Sequence, residues 1–123
     1  MGAIRGFKDL VAWQKGMELA QRVYQVSEAF PARERLGLTA QVRRSAVSVP
    51  SNVAEGYGRR SRGDYVRFLH VADGSCNEVE TQLLLAQRLG FAKDGALDEA
   101  VALAREEQRI LRGLIRALQR SGG

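Results

Sequence analysis

Residues 38–62 read LTAQVRRSAVSVPSNVAEGYGRRSR. Gln41, Arg44, Ser48, Asn52 and Glu55 recur at steps of three and four, which places them on one face of an α-helix. Val42, Ala46, Val49 and Val53 form an apolar stripe of the same period beside them. Pro50 lies inside this pattern; it has no N–H, and its ring crowds the carbonyl of Ala46, so a kink or a short break is expected near Ser45–Val49. Gly56 and Gly58 then stop the helix, and the chain empties into Arg59, Arg60 and Arg62.

A row of amides, one guanidinium and one carboxylate set this regularly beside an apolar stripe suggests a buried polar seam. Such a seam is costly unless every group is paired, and its best-attested use is to fix register or oligomeric state. The row is therefore expected to be a structural network of Gln41, Arg44, Ser48, Asn52 and Glu55, with Glu78 of the following helix as the partner of Arg44. A ligand or nucleic-acid site and a plain exposed face are the other readings of the same pattern.

Working outward, the helical period continues on both sides. A first helix is predicted over about 8–29, with one stripe at Leu10, Trp13, Met17, Ala20 and Tyr24 and a second at Leu19, Val23, Val26 and Phe30. The second helix is predicted over 32–57, with Pro31 leading into it. Ser61-Arg62-Gly63-Asp64 has the form of a capping box and opens a third helix over about 62–89, ended by Gly90. Its inward residues are Tyr65, Phe68, Ala72, Val79, Leu83 and Ala86. Gly74 interrupts it at a cost of about 1 kcal/mol relative to alanine, which suggests close approach of a neighbouring backbone. Asp94 is the expected cap of a fourth helix over about 95–120. Its stripe is Leu97, Val101, Ala104, Gln108, Leu111, Ile115 and Leu118, with a second at Leu103, Ile110, Leu114 and Ala117. Glu106 and Glu107 are placed with the arginines of its polar side. Strand signals are absent. Four long helices with short connections give an all-α, antiparallel, up-down-up-down four-helix bundle, a single domain over 1–123. The spare apolar stripes on the first and last helices imply a homo-oligomer.

Composition narrows function by exclusion. No run approaches the roughly 20 apolar residues needed to span a bilayer, and the amino-terminal segment lacks the apolar core of a secretory signal. The single cysteine, Cys76, suits a reducing cytoplasm and reads as a small packed residue. The single histidine, His70, stands six residues before it, about 600° of helical rotation, so the two do not form a dyad within one chain. His70 is expected at a surface or interface. No metal-ligand spacing, P-loop or dinucleotide fingerprint occurs. The expectation is a non-enzymatic protein with no cofactor and no metal.

Charge points to an anionic partner. The chain carries a formal +5, and residues 31–63 alone hold seven arginines against Glu34 and Glu55. Arginine outnumbers lysine sixteen to three, a bias that bidentate phosphate contact and a GC-rich genome explain equally well. The candidate nucleic-acid site is the turn at Tyr57, Arg59, Arg60 and Arg62, extended by Arg43 and Arg67, with Tyr57 available for base stacking. A solvated charged loop is the bland alternative.

WQKGMELAQRVY (13–24) and the whole of 30–83 resemble the four-helix-bundle proteins associated with intervening sequences of 23S ribosomal RNA genes. The resemblance covers about residues 7–118. It is carried by Q-x-R-R-x-x-x-S-x-P-x-N-x-A-E-G, by the basic stretch after it, and by GS-x-x-E. These place Gln41, Arg43, Arg44, Ser48, Pro50, Asn52, Glu55, Gly56, Arg59, Gly74, Ser75 and Glu78 on the motif. Val49 and Val53 stand where isoleucine is usual. The resemblance implies a bundle that assembles as a ring-like homopentamer. A related group, the accessory protein of diversity-generating retroelements, is basic and binds nucleic acid and reverse transcriptase. The second reading is an adaptor whose apolar and basic surfaces dock a protein acting on nucleic acid, such as a reverse transcriptase, and the third is a structural protein with no ligand.

Overall fold

In the computed structural model, which describes residues 3–121, a one-turn 3-10 helix at Phe7–Asp9 precedes α1 (Val11–Ser27). A second such turn at Ala32–Glu34 precedes α2 (Leu38–Tyr57), followed by α3 (Arg62–Arg88) and α4 (Asp98–Ser121). The fold is all-α, a four-helix bundle. Side-chain pairs fix its register. Arg43 of α2 reaches Ser27 of α1, and Ser48 of α2 meets Ser75 of α3. Glu80 and Asp73 of α3 bind Arg105 and Arg112 of α4, and Lys15 and Arg22 of α1 bind Glu106 and Glu99 of α4. With the further approaches of Gly16 to Pro50 and of Gly56 to Phe68, one residue number rises as the other falls in each pair of helices, so all four neighbours run antiparallel and α4 closes back on α1.

The core is aliphatic and small. Leu19 and Val23 meet Val42, Ala46, Val49 and Val53, with Leu69, Val79 and Leu83 on the third side and Leu111 on the fourth, all fully covered. Of the two stripes on α1, the one through Leu19 and Val23 is the core; Met17 and Tyr24 of the other are both 46% exposed. The surplus expected on α4 is taken into the molecule: Leu103 is buried, and Ile110 and Leu114 pack against the core.

The differences from the predicted elements lie at helix starts. α2 begins at Leu38 rather than 32, because the chain turns at Gly37 and the Glu34 carboxylate accepts the Leu38 N–H at 3.0 Å. A Cβ at Gly37 would lie 2.7 Å from that carboxylate oxygen, so a side chain there would push the Glu34 cap aside. α4 begins at Asp98 rather than under an Asp94 cap, because Gly95 turns the backbone to φ +80° between them. α2 runs without interruption through Pro50, so no break occurs at Ser45–Val49. Gly90, at φ +73°, ends α3 as expected, with Phe91 N–H returning to the Ala86 carbonyl at 3.0 Å.

Candidate nucleic-acid interface

The α2–α3 turn is built on a glycine. A Cβ at Gly56 would lie 2.8 Å from the Cβ of Phe68, so α2 and α3 close tightly just before the chain reverses. Tyr57 meets Tyr65 edge-on, with ring centroids 6.0 Å apart. Burial, and then the neighbouring Tyr57, push the Tyr65 hydroxyl pKa up. The Arg59 and Arg67 guanidiniums both sit over the Phe68 ring, 4.6 and 4.5 Å from its centroid. Each also touches a carboxylate of its own helix turn, Arg59 with Glu55 at 2.6 Å and Arg67 with Asp64 at 3.4 Å. Ser61 Oγ accepts the Asp64 N–H at 3.1 Å, the forward half of the expected box; the Asp64 carboxylate turns to Arg67 instead of back to Ser61. Arg60 and Arg62 are exposed and make no ion pair among the described residues. The turn thus presents two guanidiniums oriented on an aromatic ring and two reaching into solvent.

Arg43 is not part of this group. Its guanidinium lies at the far end of α1, bound to Ser27 Oγ at 2.8 Å and Glu28 at 2.9 Å and stacked on Tyr24 at 4.7 Å. Arg33 lies further from the turn, over the Phe91 ring in the α3–α4 connection. The basic run of residues 31–63 is therefore divided by the fold between the two ends of the bundle. Tyr57, half-buried in its edge contact, is packed rather than presented as a stacking platform.

The polar row lies at the surface of α2, not in a buried seam. Gln41, Arg44, Glu55 and Glu78 are exposed, while Ser48 and Asn52 are half-buried. Ser48 Oγ and Ser75 Oγ lie 2.8 Å apart, and Asn52 Nδ2 donates to Ser48 Oγ at 2.8 Å, so a small network does tie α2 to α3. Arg44 and Glu78 line one polar cleft of about 410 Å³ with Gln41 and Gln82, yet form no ion pair among the described residues. Glu55 binds Arg59 rather than Arg44. The cause is geometric: the apolar stripe of α2 turns its centre to the core, and the polar row beside it falls on the rim.

Two features were not anticipated as sites. Glu107 is fully buried, and neither of its carboxyl oxygens has a hydrogen-bond partner. Its position four residues after Leu103 and four before Leu111 is the signal that would have found it. The second is an apolar groove of about 750 Å³ between α1 and α2, walled by Trp13, Met17, Tyr24, Val47, Pro50 and Ala54. His70 is exposed and Cys76 is buried, its thiol pKa pushed up by burial and then by Glu107, which leaves it an unreactive packing residue.

An antiparallel four-helix bundle with an arginine-rich turn at one end and a motif-bearing second helix defines a class of small all-α proteins. Residues 8–113 match the model of the 23S rRNA-intervening sequence protein family, and the chain belongs to that family. Its fold is similar to the crystal structure of a protein of unknown function from the S23 ribosomal protein family of Bacteroides thetaiotaomicron. That similarity has a TM-score of 0.80 at 24% identity and covers 89% of this chain and 98% of the other. No curated protein matches the chain. Among the described residues, no helix is long and apolar enough to cross a membrane.

Proposed function

We propose that this protein is a non-enzymatic, cytoplasmic homo-oligomer, a pentamer on the family resemblance, that binds RNA or DNA through its arginine-rich α2–α3 turn. The observation that carries this is the state of the turn's four arginines. Arg60 and Arg62 extend into solvent without a carboxylate partner among the described residues, and Arg59 and Arg67 are held in place by Phe68. Exposed, oriented guanidiniums suit phosphate contact. Repetition of the turn around an oligomer would convert weak contacts into avid binding.

The test is fluorescence anisotropy of labelled RNA and DNA across a salt series. Wild-type affinity is expected to fall steeply with salt as phosphate counterions are released. The triple substitution Arg59→Glu, Arg60→Glu, Arg62→Glu is expected to abolish binding with helicity intact. Undiminished binding by the folded triple variant would remove the turn from consideration.

A second reading, an adaptor that docks a protein acting on nucleic acid, is favoured by the apolar groove of α1 and α2, whose walls Met17 and Tyr24 are half exposed. Co-purification with such a partner, lost on substitution in the groove and kept on substitution in the turn, would select it.

A further inference from the structure

The register places the ends of four segments side by side. Gly16 faces Pro50 and Gly56 faces Phe68, which sets the start of α1 near the level of Glu55, with the 3-10 turn that carries Lys8 folded against its first turn. Asp73 pairs with Arg112 and Lys15 with Glu106; continuing those helical ladders puts Arg116 level with Leu69 and Arg120 level with Tyr65, both beyond the start of α1 at Val11. The last turns of α4 and the segment before α1 therefore lie at the same end of the bundle as the α2–α3 turn.

This end collects the charge of the whole molecule. To the four arginines of the turn it adds Arg5, Lys8, Arg116 and Arg120, all exposed, against three carboxylates, Asp9, Glu55 and Asp64. Eight cations against three acids is +5, the formal charge of the entire chain with its 19 cationic and 14 acidic residues. The rest of the molecule is formally balanced, and the one departure is a single acid, the buried Glu107, which stays protonated at pH 7. Linear sequence conceals this, because Arg116 and Arg120 lie more than fifty residues from the turn, while Arg33 and Arg35, close to it in sequence, stand at the opposite end.

On the reading that the protein binds nucleic acid, we infer that a strand engages the bundle end-on, across the tips of α4 and of the α1 entry as well as the α2–α3 turn. We further infer that the recognised chemistry is the phosphodiester backbone and not the bases. The aromatic groups of this end are already engaged: Tyr57 and Tyr65 with each other, Phe68 under two guanidiniums, Phe7 edge-on to Trp13 at 5.5 Å. Each is half-buried and has a partner within the protein, whereas the cations of Arg60, Arg62, Arg116 and Arg120 are exposed and make no ion pair among the described residues.

Three pairs of substitutions test this by anisotropy over a salt series, each variant first shown by circular dichroism to melt as the wild type does. Arg116→Gln with Arg120→Gln is expected to make the slope of log affinity against log salt shallower by about two. Arg60→Gln with Arg62→Gln is expected to do the same, and Arg33→Gln with Arg35→Gln to leave the slope unchanged. An oligonucleotide with several consecutive abasic sites is expected to bind within about twofold of its base-bearing counterpart, because stacking of even one base would change affinity by about fivefold or more. Loss of slope in the Arg33/Arg35 pair with none in the Arg116/Arg120 pair overturns end-on engagement. A much weaker abasic strand overturns backbone recognition. Wild-type protein that binds no strand at low salt would refute nucleic-acid binding itself, an outcome distinct from both.

Discussion

Glu107 poses the sharpest problem at the level of single residues. Its side chain is fully covered, and neither oxygen has a partner. A carboxylate cannot be sustained there, since an ionised group without hydrogen bonds or a counterion loses its hydration for nothing. Burial first, and then the charge of Glu106, push its pKa up to about 9, with Lys15 opposing weakly, so the group is neutral at pH 7. The sign of the linkage follows. The folded chain holds a proton on Glu107 that the unfolded chain releases near pH 4.5, so stability is highest below that value and is lost progressively up to about pH 9. At pH 7 the loss is on the order of 3 kcal/mol, taking about 1.36 kcal/mol per pH unit. Glu107→Gln keeps the shape and removes the titration. Denaturant unfolding at pH 5, 7 and 9 is expected to show the wild type losing stability relative to the variant as pH rises. Parallel pH profiles for the two proteins would mean that Glu107 is hydrated or paired in solution. Glu107 was readable as a core position from its spacing, but its charge assigned it to the polar side of α4. Residue type outweighed period, and period was the better guide.

Within the elements, Gly56 of α2 and Gly74 of α3 have opposite roles. Gly56 is buried where the helices meet, and a methyl group there would lie 2.8 Å from Phe68 Cβ and 3.1 Å from the Tyr65 carbonyl oxygen. Gly74, the glycine from which a close approach was expected, is exposed with nothing within 4 Å of an added Cβ. Gly56→Ala is therefore expected to cost about 1–3 kcal/mol by overpacking. Gly74→Ala is expected to gain about 1 kcal/mol through helix propensity alone. Thermal melts of the two variants check both. A Gly74→Ala protein that melts lower than wild type would mean that another molecule lies against α3 at that point. The elements themselves were legible because 3.6-residue periodicity runs through every one of them. Their starts were less so: Gly37 and Gly95 act through backbone geometry and through Glu34, features that apolar spacing does not encode. Which glycine touches a neighbour depends on the rotation of each helix about its own axis, and that is settled by packing between segments distant in sequence.

For the whole molecule, a single chain covers some apolar stripes and leaves others, and the difference bears on assembly. Both α1 and α4 carry two stripes, and sequence gives them equal standing. The bundle takes in most of both stripes of α4, whereas on α1 the second stripe is divided: Leu10, Trp13 and Ala20 pack against the core, and Met17 and Tyr24 face outward. The outward stripe joins Val47 of α2 to form the groove, with Met17 and Tyr24 46% and Val47 42% exposed. Apolar walls this open suit a second protein surface better than water. If a copy of this chain fills the groove, sedimentation equilibrium of the wild type gives a multiple of 13.6 kDa. Met17→Glu combined with Val47→Glu places two carboxylates on half-exposed helix positions, where the isolated bundle tolerates them but a dry interface does not. The double variant is expected to sediment at 13.6 kDa with its helicity preserved. If it keeps the wild-type mass, assembly uses another face, and the exposed leucines Leu84, Leu85 and Leu89 clustered at the end of α3 are the next to substitute. If the wild type itself sediments as a monomer, the groove is open to a different protein, and the adaptor reading takes precedence over the ring.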